Sequence, residues 1–318
     1  MTTTVLQTVK LTKHYGSLAA VKDLSLEVYE GEIFGFLGPN GAGKTTSINM
    51  MCGLLKPDTG QVLVHSKPVG SSDASTRARV GMCPQNIVLW ERLTCLEQLQ
   101  FIGEMYGLRG SEARKRGERL LEELDLAEKR NKQARTLSGG MQRRLNLAMA
   151  LVHEPEILIL DEPEAGLDPQ SRVKVREYIR SQARKRTVIL TTHNMDEADR
   201  VVDRLAIIDH GELLVLDTPE SLKQRVGPGD VVEILLAEQE GMESAVQQAV
   251  HVIQAITSEV SYDIPSRKLR LHALHVVAHL PAILEALHQN GLTAGEINVR
   301  ANTLEDVFIQ LTGRSLRE

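Results

Sequence analysis

Apolar positions in this chain fall into two kinds of segment that alternate along it: short unbroken runs, and longer stretches in which apolar residues recur at helical spacing. Ile33, Phe34, Gly35, Phe36 and Leu37 form one unbroken run, and Ile157 to Leu160 form another that ends abruptly in Asp161 and Glu162. Runs of this kind read as central parallel strands covered on both faces. Thr187 to Thr192 predicts a further strand, and Val5 to Leu11 and Leu24 to Glu30 predict two earlier ones. Helices are predicted from Thr45 to Leu55, from Thr94 to Tyr106 (Leu96, Leu99 and Ile102 on one face) and from Ser111 to Leu126 (Leu120, Leu121 and Leu124). Asp209, His210 and Gly211 make a turn into a strand from Glu212 to Leu216. Strand and helix alternate throughout, which predicts an α/β domain with a mainly parallel sheet.

That domain is expected to end near Pro219 to Arg225, giving boundaries of 1–225 and 226–318, with GPGD at Gly227 to Asp230 as the turn between. The second segment predicts a small α+β domain. Its elements are a strand at Val231 to Ala237, a helix at Glu243 to Ile256, and a hairpin of Ser258 to Asp263 with Lys268 to His272. A helix with Leu280, Ile283, Leu284 and Leu287 on one face follows, then an extended Glu296 to Val299 and a helix from Thr303 as N-cap to Gly313 as stop. It carries no catalytic constellation. His272, His275 and His279 straddle a strand end and a helix start, a poor spacing for metal ligands.

Composition narrows the class. The chain has 318 residues, of which 42% are hydrophobic and 25% charged, and 37 basic against 42 acidic residues leave a net charge of −5. Mild acidity gives no electrostatic case for nucleic acid, and the cluster Arg114, Lys115, Arg116 and Arg119 reads as the solvated face of a helix. Cys52, Cys83 and Cys95 lack metal-ligand spacing and are expected to be reduced thiols of a cytosolic protein. No signal-peptide pattern is visible and no apolar run approaches the ~20 residues that span a bilayer, so a membrane role is expected to come through a partner.

Chemistry concentrates in two glycine-rich segments, GPNGAGKTT at Gly38 to Thr46 and LSGGMQ at Leu137 to Gln142. Each puts free backbone N–H groups at the start of a predicted helix, where unpaired donors and the helix dipole favour an anion. In the first, Gly38, Gly41 and Gly43 let successive amides curl round phosphates, Lys44 supplies a positive charge, Thr45 offers a hydroxyl to Mg²⁺, and Thr46 can support the α-phosphate. Asp161 and Glu162 emerge at the carboxyl end of a strand, where α/β sheets bind ligands. Asp161 is placed to hold Mg²⁺ through water, and Glu162 to act as general base towards the attacking water. One compact domain needs one phosphate surface, so the second implies a nucleotide shared between two copies.

These segments resemble the ATP-binding cassette (ABC) transporter family over about the first two-thirds of the chain. GPNGAGKTT resembles the family's Walker A motif, LSGGMQ its signature and LILDEP its Walker B. The resemblance implies a P-loop NTPase fold with a mixed core sheet, an antiparallel β edge and a helical subdomain at about 86–150. It implies nucleotide contacts from Gly38, Pro39, Asn40, Gly41, Ala42, Gly43, Lys44, Thr45 and Thr46. Gln85 in CPQN matches the glutamine that touches Mg²⁺, and His193 in TTHN matches the switch histidine, here read as a neutral imidazole donating to the γ-phosphate. Tyr15 in KHYG matches the aromatic that stacks on adenine, and Asp168 in GLDP the aspartate that communicates across a dimer. Ser138, Gly139 and Gly140 would face the partner copy's γ-phosphate.

Glu164 departs from the family pattern, which usually has Thr or Ser there, and it is expected to face a cation, with Arg143 and Arg144 as candidates. The resemblance further implies ATP and Mg²⁺, a head-to-tail dimer with itself or a related cassette, and a polytopic permease holding the chain at the cytoplasmic face of the membrane. The carboxyl-terminal extension resembles that of drug, antibiotic, ion and polysaccharide exporters. A soluble cassette acting on DNA or ribosomes would show two cassettes or a long coiled-coil insertion, and a non-hydrolysing module would lack Glu162 or His193.

Overall fold

The computed structural model describes residues 3–69, 76, 78–183, 185–225, 230–238, 242–255, 257, 259–273 and 276–313. Two compact units divide between Asp217 and Thr218. This lies eight residues before the boundary expected from sequence, because the helix Pro219–Arg225 packs on the carboxyl-terminal helix Leu304–Thr312 and so belongs to the second unit. Gly227, Pro228 and Gly229 of the expected turn, and His275 of the histidine group, lie outside the described residues.

The first unit is organised by a six-stranded sheet in the order β10-β9-β3-β8-β7-β6. Its strands are β3 (Ile33–Leu37), β6 (Val80–Cys83), β7 (Ile157–Asp161), β8 (Thr187–Thr192), β9 (Arg204–Asp209) and β10 (Glu212–Asp217). All neighbours are parallel except β10, which returns antiparallel to β9 through the left-handed His210 (φ 47°) and Gly211 (φ 79°). Every residue of β3, β7 and β8 is buried, and the apolar runs of β3 and of Ile157 to Leu160 in β7 are what a doubly covered strand demands. Register then assembles the site. Leu37 pairs with Thr192, and Asp161 pairs with Thr191, so the glycine loop, the acid pair and His193 all leave the sheet at one edge.

Beside it lies an antiparallel sheet, β2-β1-β4-β5, made of β1 (Thr4–Tyr15), β2 (Leu18–Tyr29), β4 (Thr59–Val64) and β5 (Lys67–Pro68). β1 and β2 are 12 residues each, longer than their apolar alternation predicts. Register shifts between Thr8 and Tyr15, with Lys10 (φ 47°) and Asp23 (φ 45°) in the left-handed region, break the period of two without ending the pairing.

The helices of this unit are α1 (Lys44–Met51), α2 (Cys95–Met105), α3 (Gly110–Glu123), α4 (Gly139–Leu151), α5 (Pro169–Ala183) and α6 (Met195–Asp199). Thr94 and Glu97 form a reciprocal capping box that starts α2. α2 packs on α3 so closely at Gly117 that an added Cβ would lie 3.1 Å from that of Leu99. Cys52, Cys83 and Cys95 are all free and buried, and burial raises all three thiols, Cys52 to about 12.

In the second unit, α7 (Pro219–Arg225) precedes an antiparallel sheet, β12-β13-β11-β14, built from β11 (Asp230–Leu236), β12 (Glu259–Asp263), β13 (Lys268–Ala273) and β14 (Ala294–Ala301). Helices α8 (Met242–Ile253) and α9 (Val276–Gln289) contribute Val246, Ile253, Ile283 and Leu287 to a core shared with Val232, Ile234, Leu269 and Leu271. The last helix, α10 (Leu304–Thr312), opens on a capping box between Thr303 and Asp306 and stops at the left-handed Gly313 (φ 71°).

Asp306 is also paired bidentately with Arg300 at 2.6 and 2.8 Å, and Arg300 in turn reaches Glu233 at 3.1 Å. Against the cost of its burial, these partners hold the Asp306 carboxyl at about 2. Because the folded value lies below the unfolded one, the stabilisation is present above pH ~4 and is lost as pH falls towards 2. Asp306→Asn is expected to cost about 1–2 kcal/mol at neutral pH, allowing for screening at the part-exposed arginine, and little near pH 2. Urea midpoints of the two proteins across that range check this, and a gap independent of pH would refute the ion pair's part.

Candidate active site

The loop between β3 and α1 places two of its glycines where no side chain fits. Gly38 (φ 159°) and Gly43 (φ 99°) would each put a Cβ 2.3 Å from a backbone carbonyl oxygen, that of Ile208 and of Ala20 respectively. Gly41 (φ 82°) faces open space. Gly43 is also the N-cap of α1 and has no side chain to satisfy the free amides of the first turn, which are left for a ligand. Lys44 folds back across the loop, donating to the carbonyls of Gly38 (2.7 Å) and Pro39 (3.0 Å). Burial lowers its ammonium from the usual range, opposed by the charges of Glu162 and Asp161.

One hydroxyl joins the two acids. Thr191 donates to Asp161 Oδ1 (2.5 Å) and accepts from the Glu162 amide (2.9 Å), while the Thr45 hydroxyl donates to Asp161 Oδ2 (3.1 Å). Thr45 and Asp161 therefore converge. Glu162 is 5% exposed and takes a left-handed backbone (φ 48°), a conformation that costs a non-glycine residue about 1–2 kcal/mol. Its carboxylate lies 3.7 Å from Lys44 Nζ and 3.0 Å from His193 Nδ1. A carboxylate only accepts, so His193 carries its proton on Nδ1, and a neutral ring presents a lone pair at Nε2. In this arrangement the histidine serves the base. To donate to a phosphate it must turn or take up a second proton.

Gly41, Gly43, Lys44, Thr45 and Glu162 line a cleft of about 850 Å³, together with Asn40, Thr46, Gln85, Lys22, His210 and the segment Ser17 to Ala20, and Asp161 and His193 adjoin it through their bonds to Thr45 and Glu162. Ala42 is buried behind the loop. Tyr15 closes β1 two residues before that wall, with its ring half exposed. Ser138 caps α4, accepting from the Met141 amide at 3.4 Å, and Ser138 and Gly139 are exposed. None of Ser138, Gly139 and Gly140 is among the residues lining the cleft. Asp168 accepts from the amides of Gln170 and Ser171 and from the Ser171 hydroxyl, which holds its carboxyl below the usual range; Gly140 lies against that same Ser171.

Two expectations about arginines need correction. Glu164 does face a cation, but it is Arg176, which forms a bidentate pair at 3.1 and 2.5 Å from the middle of α5. Arg144 instead donates to the Leu124 carbonyl at 2.6 Å. Arg143, 2% exposed, runs beneath the acids and donates to five carbonyls: Pro84 (2.6 Å), Gln85 (2.9 Å), Asp161 (2.8 Å), Glu162 (2.7 Å) and Pro163 (3.1 Å). Sequence reasoning missed this role. For Arg176 a signal existed, since Arg172, Arg176 and Arg180 recur every four residues along one predicted helical face.

Residues 21–165 match the family model described as ABC transporter. The chain is 38% identical to a linearmycin resistance ATP-binding protein of Bacillus subtilis, covering 99% of this chain and 100% of that protein. It is 37% identical to a daunorubicin resistance ATP-binding protein of Streptomyces coeruleorubidus (96% and 95%), and 37% identical to a Nod factor export ATP-binding protein of Cupriavidus pinatubonensis (99% and 93%). Among solved structures it resembles an ATP-binding subunit of an ABC transporter, at 29% identity and TM-score 0.64 over 70% of this chain and 93% of that one. It also resembles a dimeric ATP-binding cassette in a post-hydrolysis state with ADP and Pi, at 27% identity and TM-score 0.62 over 67% and 98%. With a glycine loop and Glu162 lining one cleft, Asp161 bonded to that loop's Thr45 and His193 to Glu162, and relatives matched along nearly their whole length, the chain belongs to the ABC transporter family as an ATP-binding, ATP-hydrolysing subunit.

Proposed function

We propose that two copies of this chain, or one copy with a related cassette, close head to tail around ATP, and that the closure drives export through a separate membrane-spanning subunit. The observation that carries this reading is the exposed amino end of α4. Ser138, Gly139 and Gly140 form an anion-ready helix start that does not line the chain's own cleft, and a partner copy can bring it to the γ-phosphate. Asp168, on the exposed turn against Gly140, is suited to report that closure to α5.

Within one cleft the loop amides and Lys44 bind the triphosphate, Tyr15 stacks on adenine at its open side, and Glu162 takes the proton from the attacking water while His193 orients the base. Thr45, Asp161 and Gln85 offer a hydroxyl, a carboxylate and an amide oxygen, a hard donor set that suits Mg²⁺ held chiefly by phosphates and water. When bound, the ion would neutralise charge developing on the phosphates.

A groove of about 970 Å³ in the same unit supports docking of the membrane subunit. It is lined by Val88, Trp90, Ile102, Met105, Tyr106 and His153, and Met105 is 67% exposed. Burial pushes the His153 imidazole, stacked on Tyr106 at 3.8 Å, down to about 4, so the groove stays uncharged there at neutral pH. No helix among the described residues is long and apolar enough to cross a membrane, so attachment to its cytoplasmic face would come through that subunit. Export is supported by the resistance and export proteins matched through the second unit as well as the first.

Complementation tests the shared site. Chains carrying Lys44→Ala and chains carrying Ser138→Glu are each expected to hydrolyse ATP at under about a tenth of the normal rate. Mixed, they should recover up to about a quarter of it, since half the dimers are mixed and each then holds one intact site. No recovery on mixing would sink the head-to-tail reading.

A further inference from the structure

We propose that Arg143 is a positioning residue that sets the signature helix, the glutamine loop and the general base in one geometry. The inference rests on the reading of Glu162 and Gln85 as site residues and goes beyond it, because Arg143 touches neither side chain.

A guanidinium has five N–H donors in a planar fork, and all five are spent here on backbone carbonyls. Nη1 holds Pro84 and Gln85, Nη2 holds Asp161 and Glu162, and Nε holds Pro163. None of its hydrogen bonds goes to a carboxylate. The buried charge is balanced by carbonyl dipoles, and because every acceptor is a backbone oxygen the fork fixes chain segments rather than side chains. Three chain segments that are distant in sequence thus share a single planar group: α4, whose first turn is the signature segment, the loop after β6, and the end of β7 with the loop that follows it.

The strained backbone of Glu162 gives this clamp its purpose. A left-handed non-glycine residue persists only where its surroundings over-determine it. Glu162 is held on its carbonyl side by Arg143 at 2.7 Å and by the Ala165 amide at 3.1 Å, and on its amide side by Thr191 at 2.9 Å. Loss of the Arg143 bond leaves only the local turn bond from Ala165 on that carbonyl, which lets the peptide relax and swings the carboxylate away from the cleft. Displacement of a catalytic group by about 1 Å can cost of the order of a hundredfold in rate. A shift of α4 when a partner copy engages its amino end is passed through the same fork to Gln85 and Glu162 together.

Lysine at 143 would keep the charge and lose the fork. The purified full-length chain with Arg143→Lys is expected to lose about ten-fold or more in kcat, with KM for ATP within about three-fold and ATP-dependent thermal protection retained. In Gln85→Ala chains the same change should leave the half-saturating Mg²⁺ concentration where Gln85→Ala alone puts it, because both act through one loop. A folded, ATP-protected Arg143→Lys protein with kcat within three-fold of normal overturns the proposal. Should that variant not fold, guanidinium proton exchange of Arg143 in the native chain decides: slow exchange with and without MgATP supports a fixed clamp, and fast exchange in either state overturns it. Glu162→Gln run in parallel separates the two readings, since hydrolysis that survives it refutes the base and not the clamp.

Discussion

Glu162→Gln is expected to lower ATP hydrolysis by about two orders of magnitude or more while leaving ATP binding within a few-fold. The amide has the shape of the acid and cannot take a proton from water. The side chain is 5% exposed and touches Lys44 and His193, so the change removes one buried negative charge that both cations and hydrogen-bond donors had faced. Less negative charge close to the γ-phosphate favours the bound triphosphate. Binding should therefore hold or tighten as turnover collapses, and closed dimers should accumulate at saturating ATP. Single-turnover hydrolysis beside equilibrium ATP binding measures both halves of this statement. A normal rate would remove Glu162 from the chemistry.

The second large effect is expected at Gly43. Its φ of 99° is closed to side chains, and an added Cβ would sit 2.3 Å from the Ala20 carbonyl oxygen, a backbone atom of β2 that has no rotamer to yield. Gly43→Ala must then shift the start of α1, which carries Lys44 and Thr45 with it. ATP affinity should fall by about a hundredfold or more, and the nucleotide-free protein should lose several kcal/mol of stability. Gly41→Ala provides the contrast, because its Cβ would meet nothing within 4 Å and only the left-handed backbone is penalised, at about 1–2 kcal/mol. Urea unfolding of both variants without nucleotide distinguishes steric displacement from backbone preference; equal losses would refute the steric account.

The parts of the site that sequence makes legible are those where one short segment carries both position and chemistry. Ile33 to Leu37 and Ile157 to Leu160 are uninterrupted because both faces of those strands are covered, and the loop or acid that follows each run has to emerge at the ligand edge. The parts that stay hidden depend on contacts between distant segments. Arg143 looks like a partner for the nearest unexplained acid, yet carbonyls claim it, and no spacing rule reports where a backbone oxygen points. Glu164 finds Arg176 because α5 folds back behind the strand end. The full lengths of β1 and β2 escape the period of two because bulges reset it. The unit boundary moves to Asp217 because α7 has an apolar partner near the far end of the chain, in α10.

Shielding of Cys52, Cys83 and Cys95 has a practical corollary. Alkylating reagents attack thiolates, and these three sulfurs are both inaccessible and reluctant to ionise. The folded polypeptide thus offers maleimides no native target, and one cysteine engineered onto its surface becomes a unique handle for a fluorophore, a spin label or a cross-linker without prior removal of the natural ones.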